Sequence, residues 1–287
     1  MMATGSNIFP TVRIADSSFQ PLGQSDSTLL IQLFNSRLSY AIYNNLSNTV
    51  EAYCSYTLDG DEPLSKAIHI LATDEWTRAS RLNVKAILEP HDYVLVPKLL
   101  FDANEINTYL NFHGFIKVEN SQFFDCIDNI GAVGVYRISS FLSEALHSQF
   151  SKLEVLACPT PFIQLVSREY KSTKGDNLFV NLDDSRIHIL ALNQSKLLYY
   201  NSFEIATKED VSYYTLSVCE QLLFSPEKAL VVVWGNGSNF EEQYGTLRNY
   251  FRNVQQGVRP LAMKFTDALN SLPVFAEYNL FAAAVCE

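Results

Sequence analysis

With 287 residues, 47% of them hydrophobic, the chain is long enough to bury one large core or two of ordinary size. Its 21 Lys and Arg against 31 Asp and Glu give a net charge of −10, which leaves little basic surface for nucleic acid or anionic lipid. Its five cysteines form no Cys-x-x-Cys pair, and its longest apolar run, Ala229 to Trp234, is too short to cross a bilayer, so a cytoplasmic protein without membrane insertion, disulfide framework or zinc site is expected.

Residues 1–26 read as an N-terminal lead, without the basic-then-apolar order of a targeting segment. The run Leu29 to Leu33 ends at Asn35-Ser36, and Arg37 to Tyr43 then alternates, the pattern of two strands joined by a tight turn. A third strand through Cys54-Ser55-Tyr56 completes a meander. A helix follows Asp61-Glu62-Pro63, with Leu64, Ala67, Ile68 and Leu71 at helical spacing. Tyr93 to Val96 reads as a short buried strand leading to a helix that carries Phe101, Ile106, Tyr109 and Leu110. Phe123 to Phe150 and Leu153 to Ala157 read as peripheral strand and helix, with Thr160 capping a helix that starts at Pro161. Lys171 to Asp176 reads as a linker.

The second half repeats the first. Leu178 to Leu182 turns at Asp184-Ser185 and resumes at Arg186-Ile187-His188-Ile189, so the Ser-Arg pair falls in the same register as Ser36-Arg37. Asn201-Ser202-Phe203 lies over Cys54-Ser55-Tyr56. After Thr207-Lys208-Glu209-Asp210 a helix carries Val211, Tyr214, Val218 and Leu222, and the buried run Leu230 to Trp234 leads to a helix with Phe240, Leu247, Tyr250 and Phe251. Each copy therefore runs strand, strand, strand, helix, strand, helix, which requires a mixed sheet, an antiparallel meander plus parallel strands, covered by helices. The division expected is a first lobe over residues 27–170 and a second over 171–287, whose closing helix, near Pro273 to Val285, packs back on the first.

This α/β order resembles the duplicated ribonuclease-H-like fold shared by actin, sugar kinases, the seventy-kilodalton heat-shock chaperones and the actin-like pilus-assembly and cell-division ATPases. The chain also looks like an uncharacterised bacterial family typical of the Bacteroidetes. In the superfamily, each meander opens on an Asp-x-Gly strand end, and the two turns face each other to hold phosphate and magnesium. Glycine admits backbone N–H groups to the phosphate, and the carboxylate orients metal-bound water. Both turns depart from that pattern. Gln32 and Phe34, followed by Ser36, stand at the first set of positions, and Asn181 and Asp183, followed by Ser185, at the second. With its side chain toward the cleft, Phe34 would fill a phosphate's space, and Asp183 and Asp184 would repel a polyphosphate unless a metal intervened. Gly235-Asn236-Gly237-Ser238 stands where the superfamily packs a loop against adenosine; it is a candidate nucleotide contact, or else a tight strand-to-helix turn in which Ser238 and Glu241 form a capping box.

Cys158, before Pro159-Thr160-Pro161, is the best-placed thiol nucleophile but has no histidine at a suggestive spacing. The five histidines, His69, His91, His113, His147 and His188, lack metal-site spacing, and His188, opposite in phase to Ile187 and Ile189, reads as a strand-surface residue. Neighbouring aromatics such as Tyr213-Tyr214 and Phe123-Phe124 place rings on different faces, suiting a protein-binding surface. The expectation is a non-catalytic or weakly nucleotide-binding actin-like protein, with no catalytic residue and no resident metal, that acts on a protein partner or on its own copies. The alternative is an ATPase or phosphotransferase using ATP with magnesium, with Asp183 or Asp184 as metal ligand and the loop at 235–238 holding the base.

Overall fold

The structure, a computed structural model, describes residues 8–21, 26–34, 36–78, 83–112, 119–183, 185–194, 196–236 and 239–286. His113, Asp184, Gly237 and Ser238 lie outside them.

Strands β1 (Val12–Ala15), β2 (Ser27–Leu33), β3 (Arg37–Asn44) and β4 (Thr49–Thr57) are followed by helix α1 (Pro63–Thr73) and β5 (Asn83–Leu88). Next come β6 (Asp92–Pro97), α2 (Ile106–Asn111), β7 (Asn120–Ile127), β8 (Ala132–Ser139), α3 (Ser140–Gln149), β9 (Leu153–Ala157) and α4 (Pro159–Glu169). The rest of the chain forms β10 (Asp176–Leu182), β11 (Arg186–Asn193), β12 (Lys196–Glu204), α5 (Lys208–Gln221), β13 (Leu230–Gly235), α6 (Phe240–Leu247), β14 (Asn253–Gln256), β15 (Lys264–Phe265) and α7 (Tyr278–Ala282).

Two sheets share one order. The first runs β1-β4-β3-β2-β5-β9, with β15 also pairing β4, and the second runs β12-β11-β10-β13-β14. In each, an antiparallel meander is joined through its first strand to two parallel strands. The agreement reaches single residues. Tyr40 pairs with Cys54 and Ile189 with Asn201, three residues beyond Arg37 and Arg186 respectively, and both second strands bulge two residues later, between Ile42 and Tyr43 and between Ala191 and Leu192.

Two features differ from the sequence reading. The first sheet's parallel strand is β5, not Tyr93 to Val96; that segment belongs to β6, in a separate antiparallel sheet ordered β6-β8-β7. Its helix α2 packs on the same small sheet through Leu110, Val96, Val133 and Val135, so Phe101 to Leu110 is not the counterpart of α6. Helix α3 and strand β9 complete the first sheet's unit instead, and α4 starts at Pro159, with Thr160 inside it rather than capping it.

Both central strands are covered on two faces. Leu29 and Ile31 join the core beneath α1 and α3, while Leu30 joins one that includes Leu280 and Phe281 of α7. In β10, Leu178 and Val180 pack with α5 and α6, and Phe179 with Phe162 and Val166 of α4. The final helix of each unit therefore lies against the other unit's sheet, and α4 and α7 pack together between the sheets.

Candidate functional site

The hairpin turns β2–β3 and β10–β11 close alike. Phe34 N donates to Arg37 O at 2.9 Å and Asp183 N to Arg186 O at 3.0 Å, while the Ser36 and Ser185 carbonyls accept from Leu58 N and Ile205 N. Phe34, Glu89, Asp183, Ser185, Arg186, Glu204, Asp210 and Tyr214 border a cavity of about 420 Å³. That volume is ample for a small ligand, but the chemistry does not suit a polyphosphate. Four carboxyl groups and one guanidinium line it; Phe34 borders it too, its ring packed against the core that holds Leu30 and Phe281. Asp183 Oδ1 accepts from Ser185 N at 2.8 Å and Arg186 N at 2.7 Å, committing it to its own turn. Gln32 and Asn181, at the places of the superfamily's aspartates, are buried in the strands, paired in register with Ser39 and His188.

The loop after β13 is also committed. Gly235 N donates to Phe275 O at 3.1 Å and Asn236 N to Leu182 O at 3.0 Å. A Cβ on Gly235 would meet Phe240 at 2.8 Å and Leu182 at 2.9 Å, so the glycine is required by packing. Helix α6 starts at Phe240 with Asn239 as its N-cap. The Asn236 side chain accepts from the Glu277 backbone N–H at 2.7 Å.

Glu277, which the sequence reading passed over, links the two halves of the cleft. It caps α7 with a left-handed backbone, φ 58°, and is 1% exposed. Its Oε1 pairs with Arg37 and accepts from Tyr53 Oη at 2.5 Å and Ser39 Oγ at 3.2 Å. A lone acid within the apolar stretch Leu272 to Val285 is the sequence signal that points to it.

Beneath the cavity floor, Glu89, Cys158 and His188 bring their ligand atoms within 4.8 Å of one another. His188 is 2% exposed rather than on a strand surface, because α4 and the small sheet cover its face of β11. Burial, reinforced by Arg186, pulls its imidazole down to about 3. Glu89 is pushed up to about 8 by burial and the neighbouring Asp183 charge, against the opposing pull of Arg186. Burial and then the Glu89 and Asp183 charges raise the Cys158 thiol well above its usual range, the reverse of what a thiolate nucleophile needs.

The crossed helices, the paired meanders and the inter-sheet cleft define a protein of the actin-like ATPase fold, the duplicated ribonuclease-H-like architecture. A Bacteroides thetaiotaomicron protein with this fold and unknown function superposes with a TM-score of 0.78 at 20% identity, covering 92% of this chain and 97% of that one. A chain of the PilM–PilN type IV pilus biogenesis complex does so with 0.60 at 12% identity, covering 89% and 96%. The chain belongs to the DUF3822 family, described as proteins of unknown function, whose family model matches residues 16–254. No curated protein matches it. Among the described residues, no helix is long and apolar enough to cross a membrane.

Proposed function

We propose that the chain is a cytoplasmic binding protein that keeps the actin-like frame, does not turn over ATP, and acts by contact with a protein partner or with copies of itself. One observation carries this reading: the elements that would embrace a nucleotide hold one another instead, with Arg37 and Asn236 joined through Glu277. A nucleotide would have to displace a buried ion pair, then meet the carboxylates of Asp183, Glu204 and Asp210 with its own negative charge.

Apolar surface outside the cleft supports the partner half of the reading. On the small sheet's module, Leu99, Leu100, Phe112 and Phe124 are exposed, and Phe101 stacks on Tyr109 and meets Phe124 at a tilt. Such clustering is a common mark of a protein-binding surface. PilM, of the same fold, is found in a complex with PilN.

The test is calorimetric titration of the purified chain with ATP and magnesium. The expected result is no heat at millimolar nucleotide. Micromolar binding, weakened when Asp183 is replaced by Asn, would overturn the reading in favour of an unconventional ATPase.

A further inference from the structure

We infer that Glu89, Cys158 and His188 form a zinc site that joins the two sheets. Glu89 follows β5 and Cys158 follows β9, so both stand at the carboxyl edge of the first sheet, where the Cys158 N–H donates to Leu88 O at 2.8 Å and fixes them side by side. His188 comes from β11 of the second sheet. The ion would therefore tie one unit to the other at the floor of the cleft.

The geometry separates a metal site from a catalytic dyad. In a Cys–His–acid relay, the imidazole shows one nitrogen to the sulfur and the other to the acid. His188 turns Nε2 to both, with Cys158 Sγ at 4.0 Å and Glu89 Oε2 at 3.8 Å. Its Nδ1 lies 2.9 Å from Tyr200 Oη, the outer hydrogen bond that fixes a ligating histidine's tautomer and ring. Tetrahedral zinc at ordinary bond lengths sets its nitrogen and sulfur ligands about 3.5 Å apart, so side-chain adjustments below an ångström would close the site.

Two further contacts point to a ligand. Asn279 Nδ2 donates to Cys158 Sγ at 3.1 Å, a polarity that suits a sulfur carrying negative charge. Glu89 Oε2 is buried without a hydrogen bond, while Oε1 is held by Arg186 at 3.3 Å. One thiolate, one imidazole and one carboxylate select zinc over magnesium or calcium, and of the three Glu89 also borders the cavity. Binding releases to solvent the thiol proton and the proton that Glu89 holds at neutral pH.

The test uses the full chain, stripped by a chelator and titrated with zinc, with cobalt(II) as an optical substitute. One equivalent per chain is expected, with tetrahedral cobalt bands and a thiolate-to-cobalt charge-transfer band. Cys158→Ser should abolish that band, Glu89→Gln should weaken zinc at least about tenfold, and Tyr200→Phe should weaken it about 10- to 100-fold as an outer hydrogen-bond partner does. Glu89→Gln keeps the side chain's volume at the edge of the cavity, and the cobalt spectrum of the unsubstituted chain depends on no variant. A cobalt spectrum without charge transfer, zinc binding unchanged in Cys158→Ser, or no binding at micromolar zinc would each overturn the inference.

Discussion

Glu277 is the residue on which the closed cleft most depends, and its removal separates a side-chain effect from a backbone one. Glu277→Ala deprives Arg37, Tyr53 and Ser39 of the same carboxylate. Breaking a buried ion pair from one side costs about 3–5 kcal/mol. The Arg37 side chain is 17% exposed, so water can reach it, and the lower end, about 3 kcal/mol, is expected. Glu277→Gln keeps an acceptor oxygen for Tyr53 and Ser39 and loses only the charge, for about 1–2 kcal/mol. The backbone at this position has φ 58°. Glycine adopts that conformation freely whereas alanine does not, so Glu277→Gly should be milder than Glu277→Ala by about 1 kcal/mol, inverting the usual order in helices. Urea denaturation of the three variants measures all of this. A cost below about 1 kcal/mol for Glu277→Ala, or a glycine variant less stable than the alanine one, would refute the account of the junction.

Three other outcomes are expected. A Cβ at Gly257 would fall 2.1 Å from Cε2 of Trp234, whose indole N–H donates to Val258 O, so Gly257→Ala should cost about 3 kcal/mol and shift tryptophan fluorescence. Asp125, held by Thr160, Tyr136 and the Ala157 N–H, is raised to about 6, chiefly by burial. A carboxyl raised above its unfolded value adds stability that is complete below the unfolded value of 3.8 and lost as pH climbs through about 6, a swing of about 3 kcal/mol. Asp125→Asn, compared with the native chain in urea midpoints across that range, should remove the swing. Phe34→Ser should enlarge the cavity without creating millimolar affinity for ATP, because the carboxylates of Asp183, Glu204 and Asp210 remain; calorimetry showing binding would identify the ring as the barrier.

The meanders were legible because strand alternation and turn chemistry are local. The overlay of Cys54-Ser55-Tyr56 on Asn201-Ser202-Phe203 agrees with the equivalent pairings of Tyr40 with Cys54 and of Ile189 with Asn201. Strand β5 escaped notice because Lys85 interrupts its apolar run. In the fold, that lysine donates to Cys286 O at 2.6 Å and pairs with Glu154 at 3.5 Å, partners far away in sequence. Tyr93 to Val96 took its place in the reading because its four apolar residues look like a central strand, although they serve a small separate sheet. At the site, Phe34 and Asp183 were found by comparing the two turns, and both border the cavity. Glu89 and Asn279 were not, since each becomes informative only when segments distant in sequence are brought together, and Glu277 carried only the signal of a lone acid in an apolar stretch.

The closed cleft has two independent supports, and their positions constrain how the sheets could move. Helix α4 follows the first sheet yet packs on the second, and α7 does the reverse, so any opening shears two apolar layers, the one around Phe162 and Trp234 and the one around Phe281 and Leu30. The Arg37–Glu277–Asn236 junction lies at the end of α7 and would have to break in the same movement. An ATPase of this architecture needs an opening small enough in free energy for nucleotide binding to reverse it. Coupling a buried ion pair to two sheared cores raises that opening by several kcal/mol. Amides near Asn236 and Leu182 should therefore exchange as slowly as those in the core of β10, and should not change when ATP is added. Rapid exchange confined to those residues would show that the cleft opens on its own, and would return a nucleotide to consideration.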